Sequence, residues 1–137
     1  MYRNILVPLA MDEGSEDRIR KSIAVAEALA TEGAKITLLH VMEQVPGYVD
    51  TYLPHDYMDE LRKALEDRIA QLATEVDGAQ GVIVIGHASR GILDYAAAND
   101  VDLVVIASHR PGMGDFLIGS TAAQVVRHAQ CSVHVLR

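Results

Sequence analysis

The sequence contains a single cysteine, Cys131, and few aromatic side chains: five tyrosines, one phenylalanine and no tryptophan. One cysteine excludes an internal disulfide and a cysteine-based zinc cluster, and it favours a reducing compartment. Because aromatic residues are scarce, the core must be filled by Val, Ile, Leu and Ala. This composition is typical of an α/β protein.

Clusters of positive charge and long apolar runs are also missing. The formal net charge is −7, so the surface repels nucleic acid and anionic membranes, and we expect neither as a partner. No apolar run approaches the roughly 20 residues of a membrane helix, and the chain starts without an apolar leader, so we expect a cytoplasmic protein with no membrane insertion. Its 137 residues predict one domain spanning positions 1–137.

Short apolar runs alternate with segments of helical period, which is typical of a parallel sheet with crossover helices. The predicted strands cover residues 5–9, 34–41, 81–85, 103–107 and 132–136. The first predicted helix carries a stripe from Ile19 to Ala30 and is stopped by Gly33, and the second runs from Met58 to Val76. The third covers residues 90–99. The fourth covers residues 120–129, and its predicted inward face consists of Ala122, Val125, Val126 and Ala129.

The order of these strands decides where a ligand would bind. In the order 3-2-1-4-5 the winding direction reverses between the first and fourth strands, and ligands bind at such a point, beyond the carboxyl ends of the strands. The turn from Pro8 to Asp12 would then face the loop from Ser108 to Gly114.

The junction at Gly119-Ser120-Thr121 opens the last helix and suits an anion. The first turn of a helix leaves backbone N–H groups without acceptors and carries positive partial charge, which together favour phosphate. Ser120 and Thr121 are also ordinary helix caps. Arg110 can contact phosphate or form a surface salt bridge with Asp115. These residues alone are consistent with phosphate binding and with purely structural roles.

Five segments carry a likeness to a known family: Ile5-Leu6-Val7-Pro8, Leu38-Leu39-His40-Val41, Ala107-Ser108-His109-Arg110-Pro111, Gly119-Ser120-Thr121-Ala122 and residues 126–133. Together they resemble the universal stress protein family, in the subgroup whose loop reads Ser-His-Arg-Pro. The resemblance covers essentially the whole chain. It implies a doubly wound parallel sheet of five strands in the order 3-2-1-4-5, helices on both faces, a homodimer and, in many members, ATP at the carboxyl edge.

The family's nucleotide loop has the form Gly-x2-Gly-x9-Gly-Ser/Thr, and this sequence departs from it. Ala107 and Arg110 stand where the first two glycines would be, and eight residues separate Arg110 from Gly119. Glycine lets backbone approach phosphate closely, and Gly112 and Gly114 can restore that freedom. The Arg110 guanidinium can itself grip phosphate oxygens.

A second departure lies after the first strand, where many members have an aspartate and this chain has Ala10. The nearest carboxylate is Asp12. By resemblance, Val41 would receive the adenine and Gly86 would lie near the ribose and phosphates. His109 either donates to a phosphate or caps the loop.

The predicted nucleotide-binding residues are Pro8, Leu9, Ala10, Asp12, Val41, Gly86, Ser108, His109, Arg110, Gly112, Gly114, Gly119, Ser120 and Thr121. We expect ATP, accompanied by Mg²⁺, and a homodimer formed through the C-terminal strand at Val133 and Val135, because a sheet edge exposes unpaired backbone. The leading hypothesis is a non-catalytic, nucleotide-sensing stress protein that regulates an unidentified protein.

Two alternatives stay open. One is a nucleotide-free dimeric interaction module. The other is a slow ATPase or autophosphorylating protein with Ser108, Ser120 or Thr121 as the acceptor. The sequence carries no Lys-Ser/Thr phosphate loop.

Overall fold

The strands at the centre of the sheet, residues 2–8 and 103–107, are short, rich in branched apolar residues and buried on both faces, which is typical of a parallel sheet. A computed structural model of the chain describes residues 1–44, 46–108 and 118–137, without the side chain of residue 50. The elements are β1 (Tyr2–Pro8), α1 (Glu16–Leu29), β2 (Ala30–Met42), α2 (Gly47–Asp50), α3 (Tyr57–Thr74), β3 (Ala79–Ile85), α4 (Ala88–Ala98), β4 (Leu103–Ala107), α5 (Ser120–His128) and β5 (Ser132–Leu136).

The strand order is β3-β2-β1-β4-β5, and every pairing is parallel, which confirms the predicted fold class. β1 lies at the centre, with β2 on one side and β4 on the other. The winding direction therefore reverses between β1 and β4. β5 is an edge strand.

Alternate residues of each strand face opposite layers of helices, because side chains on a strand alternate between the two faces. Ile5 and Val7 of β1 pack with α1 and α3 in one core cluster. Leu6 packs with α4 and α5 in the other. Burying each such side chain contributes about 1.5–3 kcal/mol to folding. In the part of the chain that the structure describes, no helix combines the length and apolar character needed to cross a bilayer.

The start of β2 differs from the prediction. α1 ends at Leu29 and its C-cap, Ala30, already has extended backbone, so Gly33 does not stop the helix. Gly33 has φ +77° and lies within β2, next to the point where the register with β1 shifts between Tyr2 and Asn4. Its positive φ serves this strand irregularity.

The inward face of α5 also differs. Val125 is fully buried and Ala122 is nearly so, but Val126 is 47% exposed, so its predicted place in the core is wrong. Consecutive helical residues point about 100° apart, so two neighbours rarely share one buried stripe.

Hydrogen bonds close the amino edge of the sheet between β1 and β4. The Asp102 carboxylate accepts from the backbone N–H of Arg3 at 2.9 Å and of Asn4 at 3.0 Å. Asp102 N donates to Asn4 O at 2.9 Å, and Asn4 Nδ2 donates to Asn99 O at 2.7 Å. This network ties the first strand to the chain entering β4.

Candidate functional site

The carboxyl edge of the sheet opens into a cavity of about 590 Å³ at the reversal between β1 and β4. This volume lies within the roughly 300–1,000 Å³ range of small-molecule sites. α1 bounds the cavity from one face of the sheet and α4 and α5 from the other. The cavity is therefore where a doubly wound fold holds its ligand.

The ends of β1 and β2 form the floor of the cavity and are held together by hydrogen bonds. Leu9 N donates to Leu39 O at 2.8 Å, and His40 Nδ1 lies 2.7 Å from Leu9 O. Because a carbonyl only accepts, we assign a proton to Nδ1, which donates to Leu9 O. Val41 and Glu43 continue this wall.

The N-terminus of α5 forms the opposite wall. Its N-cap is Gly119, which has no side chain to cap the helix, and Gly119 N donates to Ser108 O. Ser120, Thr121 and Ala122 follow along the cavity, and backbone N–H groups at these positions have no acceptor within a helix. Ser108 N donates to Leu136 O at 2.7 Å, which anchors the junction to β5. This wall presents donors and positive partial charge to an anion.

The cavity brings together many of the predicted residues, namely Pro8, Leu9, Ala10, Val41, Ser108, Gly119, Ser120 and Thr121. Asp12 and Gly86 do not line it. Asp12 pairs with Arg18, and Gly86 donates its N–H to Met42 O at 3.0 Å with φ +155°, a conformation that suits glycine. His109, Arg110, Gly112 and Gly114 lie outside the described residues.

Sequence reasoning missed the contribution of α1, whose residues Arg18, Ile19 and Ser22 line the cavity. Ile19 and Ser22 are buried, and the Arg18 side chain is only 20% exposed. A signal was present: Ser22 lies four residues after Arg18 and three after Ile19, so it neighbours both side chains on the helix surface. The stripe predicted from the helical period contained only apolar residues. α4 contributes Ala88 and Ile92.

Arg18 is incompletely paired in this structure. Its Nη2 lies 3.3 Å from Asp12 Oδ1, and its Nη1 is buried without a hydrogen-bond partner among the described residues. A buried donor without an acceptor is costly, and the cost rises when the group is charged.

A preformed metal site is not seen in residues 1–44, 46–108 and 118–137, which hold no cluster of three or more His, Cys, Asp or Glu suited to a metal ion. Mg²⁺ that arrives on a nucleotide needs only one or two protein carboxylates, because phosphates and water complete its shell. Glu43 lines the cavity and can serve as such a ligand.

The edge strand β5 holds the two predicted interface residues. Val133 and Val135 are half-buried and pack against the core cluster formed with α4 and α5. Their side chains therefore contribute to the core of this chain, and the outer edge of β5 presents backbone groups.

The comparisons with known proteins agree with this geometry. The profile of the universal stress protein family matches residues 1–137. Universal stress protein A homolog 2 of Coxiella burnetii is 30% identical over 142 residues, covering 99% of this chain and 95% of the relative. The solved structure of the universal stress protein UspA from Lactobacillus plantarum has a TM-score of 0.72 and 26% identity, covering 99% of this chain and 98% of that one.

Two further solved structures carry nucleotides. The universal stress protein from Archaeoglobus fulgidus in complex with dAMP has a TM-score of 0.65 at 20% identity and covers 99% and 98% of the two chains. A family protein from Arabidopsis thaliana with AMP bound has a TM-score of 0.64 at 19% identity and covers 98% and 90%. These TM-scores show a shared fold.

Proposed function

The chain belongs to the universal stress protein family, and on that premise we propose that it binds ATP and acts as a non-catalytic, nucleotide-sensing regulatory dimer. The observation that carries the proposal is the cavity at the strand-order reversal, which joins an apolar floor to the open N-terminus of α5. The AMP and dAMP complexes of proteins with the same fold support the adenine nucleotide class.

We assign the adenine to the floor and the phosphates to the α5 wall. Val41 offers apolar contact, and in the Nδ1–H tautomer of His40 the Nε2 atom would accept a hydrogen bond, which matches the amino group of adenine. Ser120 and Thr121 offer N–H and hydroxyl donors to phosphate oxygens. Glu43 would bind Mg²⁺ carried by the triphosphate, and the metal would offset the repulsion from an acidic protein.

We propose slow turnover or none. Glu43 is the one carboxylate among the described residues that line the cavity, and the metal role already assigned to it competes with a role as general base. Turnover should stay well below the roughly 1 per second typical of enzymes. A faster rate of ATP hydrolysis would contradict this proposal and favour the ATPase hypothesis. A phosphate adduct on Ser108, Ser120 or Thr121 would favour autophosphorylation.

The dimer and the location complete the proposal. β5 is a sheet edge, and pairing of two β5 strands about a two-fold axis would satisfy its outward backbone groups. The single cysteine and the acidic composition favour the cytoplasm.

The deciding experiment is calorimetric titration with ATP, with and without Mg²⁺, combined with chromatography of nucleotide released on denaturation. Micromolar binding, about −8 kcal/mol, or co-purified ATP is the expected result. No heat and no released nucleotide would contradict the proposal and leave a nucleotide-free dimeric interaction module. Ultracentrifugation of the same sample tests the dimer separately.

A further inference from the structure

Arg18 is the one arginine or lysine among the described residues that line the cavity. It projects from α1, which packs on the face of the sheet opposite to α5. The cavity therefore has a cation on one wall and the positive end of a helix on the facing wall. A cation placed here on a protein of net charge −7 calls for a specific explanation.

The present partner of Arg18 does not account for it. The contact to Asp12 spans 3.3 Å through one nitrogen, and Asp12 is 41% exposed, so water competes for its carboxylate. The buried Nη1 has no hydrogen-bond partner in the part of the chain that the structure describes. Ala10, which also lines the cavity, carries no negative charge.

A phosphate group would satisfy this arrangement. Guanidinium binds phosphate through two parallel N–H donors, which would engage both terminal nitrogens instead of one. The side chain is long enough to turn from Asp12 toward the cavity that it lines. Each additional phosphate on the ligand adds acceptors and negative charge for it to engage.

We propose that Arg18 exchanges Asp12 for a phosphate of the bound nucleotide and makes affinity depend on the number of phosphates. The inference rests on the proposed function. It assigns the anion contact to α1, an element outside the loop and helix junction that carry the family resemblance. It also implies that the arginine is kept at a cost to the stability of the ligand-free protein.

The test compares Arg18→Met with Arg20→Met, since Arg20 lies on the same helix, is 76% exposed and pairs with Asp17. Calorimetry with adenosine, AMP and ATP should show a loss of about tenfold to a hundredfold for ATP in Arg18→Met, a smaller loss for AMP and none for adenosine. Arg18→Lys should restore part of the ATP affinity, and Arg20→Met should match the original protein.

A second readout separates binding from packing. Because methionine keeps the apolar stem and removes the unpaired donor, Tm of ligand-free Arg18→Met should equal or exceed that of the original protein. If Arg18→Met fails to fold, Arg18→Gln gives the same comparison without charge. Unchanged ATP affinity, or equal losses for adenosine and ATP, would overturn the assignment.

Failure of the proposed function has a different signature. If the original protein binds no adenine nucleotide, titration with inorganic tripolyphosphate decides whether Arg18 still forms an anion site. Binding that is weakened in Arg18→Met would support the inference without the nucleotide, and no binding would overturn it.

Discussion

The amino and carboxyl edges of the sheet are formed by the same strands, yet they differ in how completely their polar groups are hydrogen-bonded. At the amino edge, the Asp102 carboxylate accepts from the backbone N–H groups of Arg3 and Asn4, and the Asn4 side chain donates to Asn99 O, at distances of 2.7–3.0 Å. At the carboxyl edge, Arg18 keeps a buried donor without a partner among the described residues, and α5 starts at Gly119 without a side-chain cap. One edge stabilises the fold, and the other leaves donors available to a ligand at the cost of stability.

The sharpest test of this division is Ser120→Glu, which places a carboxylate at the anion wall. ATP affinity should fall at least a thousandfold, about 4 kcal/mol, because like charges meet. The free energy of unfolding should hold or rise by up to about 1 kcal/mol, since an acid in the first turn suits the helix dipole. Calorimetry and urea unfolding measure the two effects. Gln124→Glu adds the same charge on an exposed part of α5 and should leave affinity within about twofold.

Gly78→Ala changes a residue at the amino edge, and it should lower the free energy of unfolding rather than ATP affinity. An added Cβ would lie 2.4 Å from Ala34 O, and Gly78 has φ +74°, so strain and clash should lower the free energy of unfolding by about 3 kcal/mol. Gly33→Ala is the matched control: φ is +77°, but nothing lies within 4 Å, and the cost should be about 1 kcal/mol. Equal losses in urea unfolding would show that conformational strain alone sets the effect.

Asp102→Ala should lower the free energy of unfolding by about 2 kcal/mol, because two backbone N–H groups lose a charged acceptor. The ATP affinity of Asp102→Ala, measured at a temperature at which this variant stays folded, should not change. Asp94→Ala, on an exposed position of α4, should stay within about 0.5 kcal/mol of the original protein. A loss of affinity in Asp102→Ala would show that the two edges are coupled.

The smallest effect concerns Cys131, just before β5 at the amino edge. Burial raises the pKa of its thiol and the Asp102 charge raises it further, while a backbone hydrogen bond lowers it. Raising the pKa lowers the thiolate fraction at neutral pH, so alkylation by iodoacetamide should be slower in the folded chain than in urea and should accelerate as pH rises. Asp102→Asn should increase the folded-state rate modestly. Equal folded and unfolded rates would contradict the assignment.

Much of this architecture follows from local patterns in the sequence. Apolar runs such as residues 5–9 and 103–107 favour a parallel sheet covered by helices, and the strand order 3-2-1-4-5 then predicts a candidate site at the reversal between the first and fourth strands. The suitability of the Gly119-Ser120-Thr121 junction for an anion could be predicted, because the free N–H donors of a helix N-terminus follow from backbone geometry. The prediction failed at Gly33 and Val126, where pairing with β1 and the rotation of α5 decided the outcome.

The sequence by itself determined the class of fold, the sign of the surface charge and the junction suited to an anion, because these depend on composition and on neighbours along the chain. Only the tertiary structure decided that Arg18 faces the cavity and that Asp102 closes the opposite edge. Arg18 and Ser120 line one cavity from helices on opposite faces of the sheet, and Asp102 accepts a hydrogen bond from Asn4 across 98 positions. Contacts between residues so far apart depend on strand order and helix rotation, which no local pattern encodes.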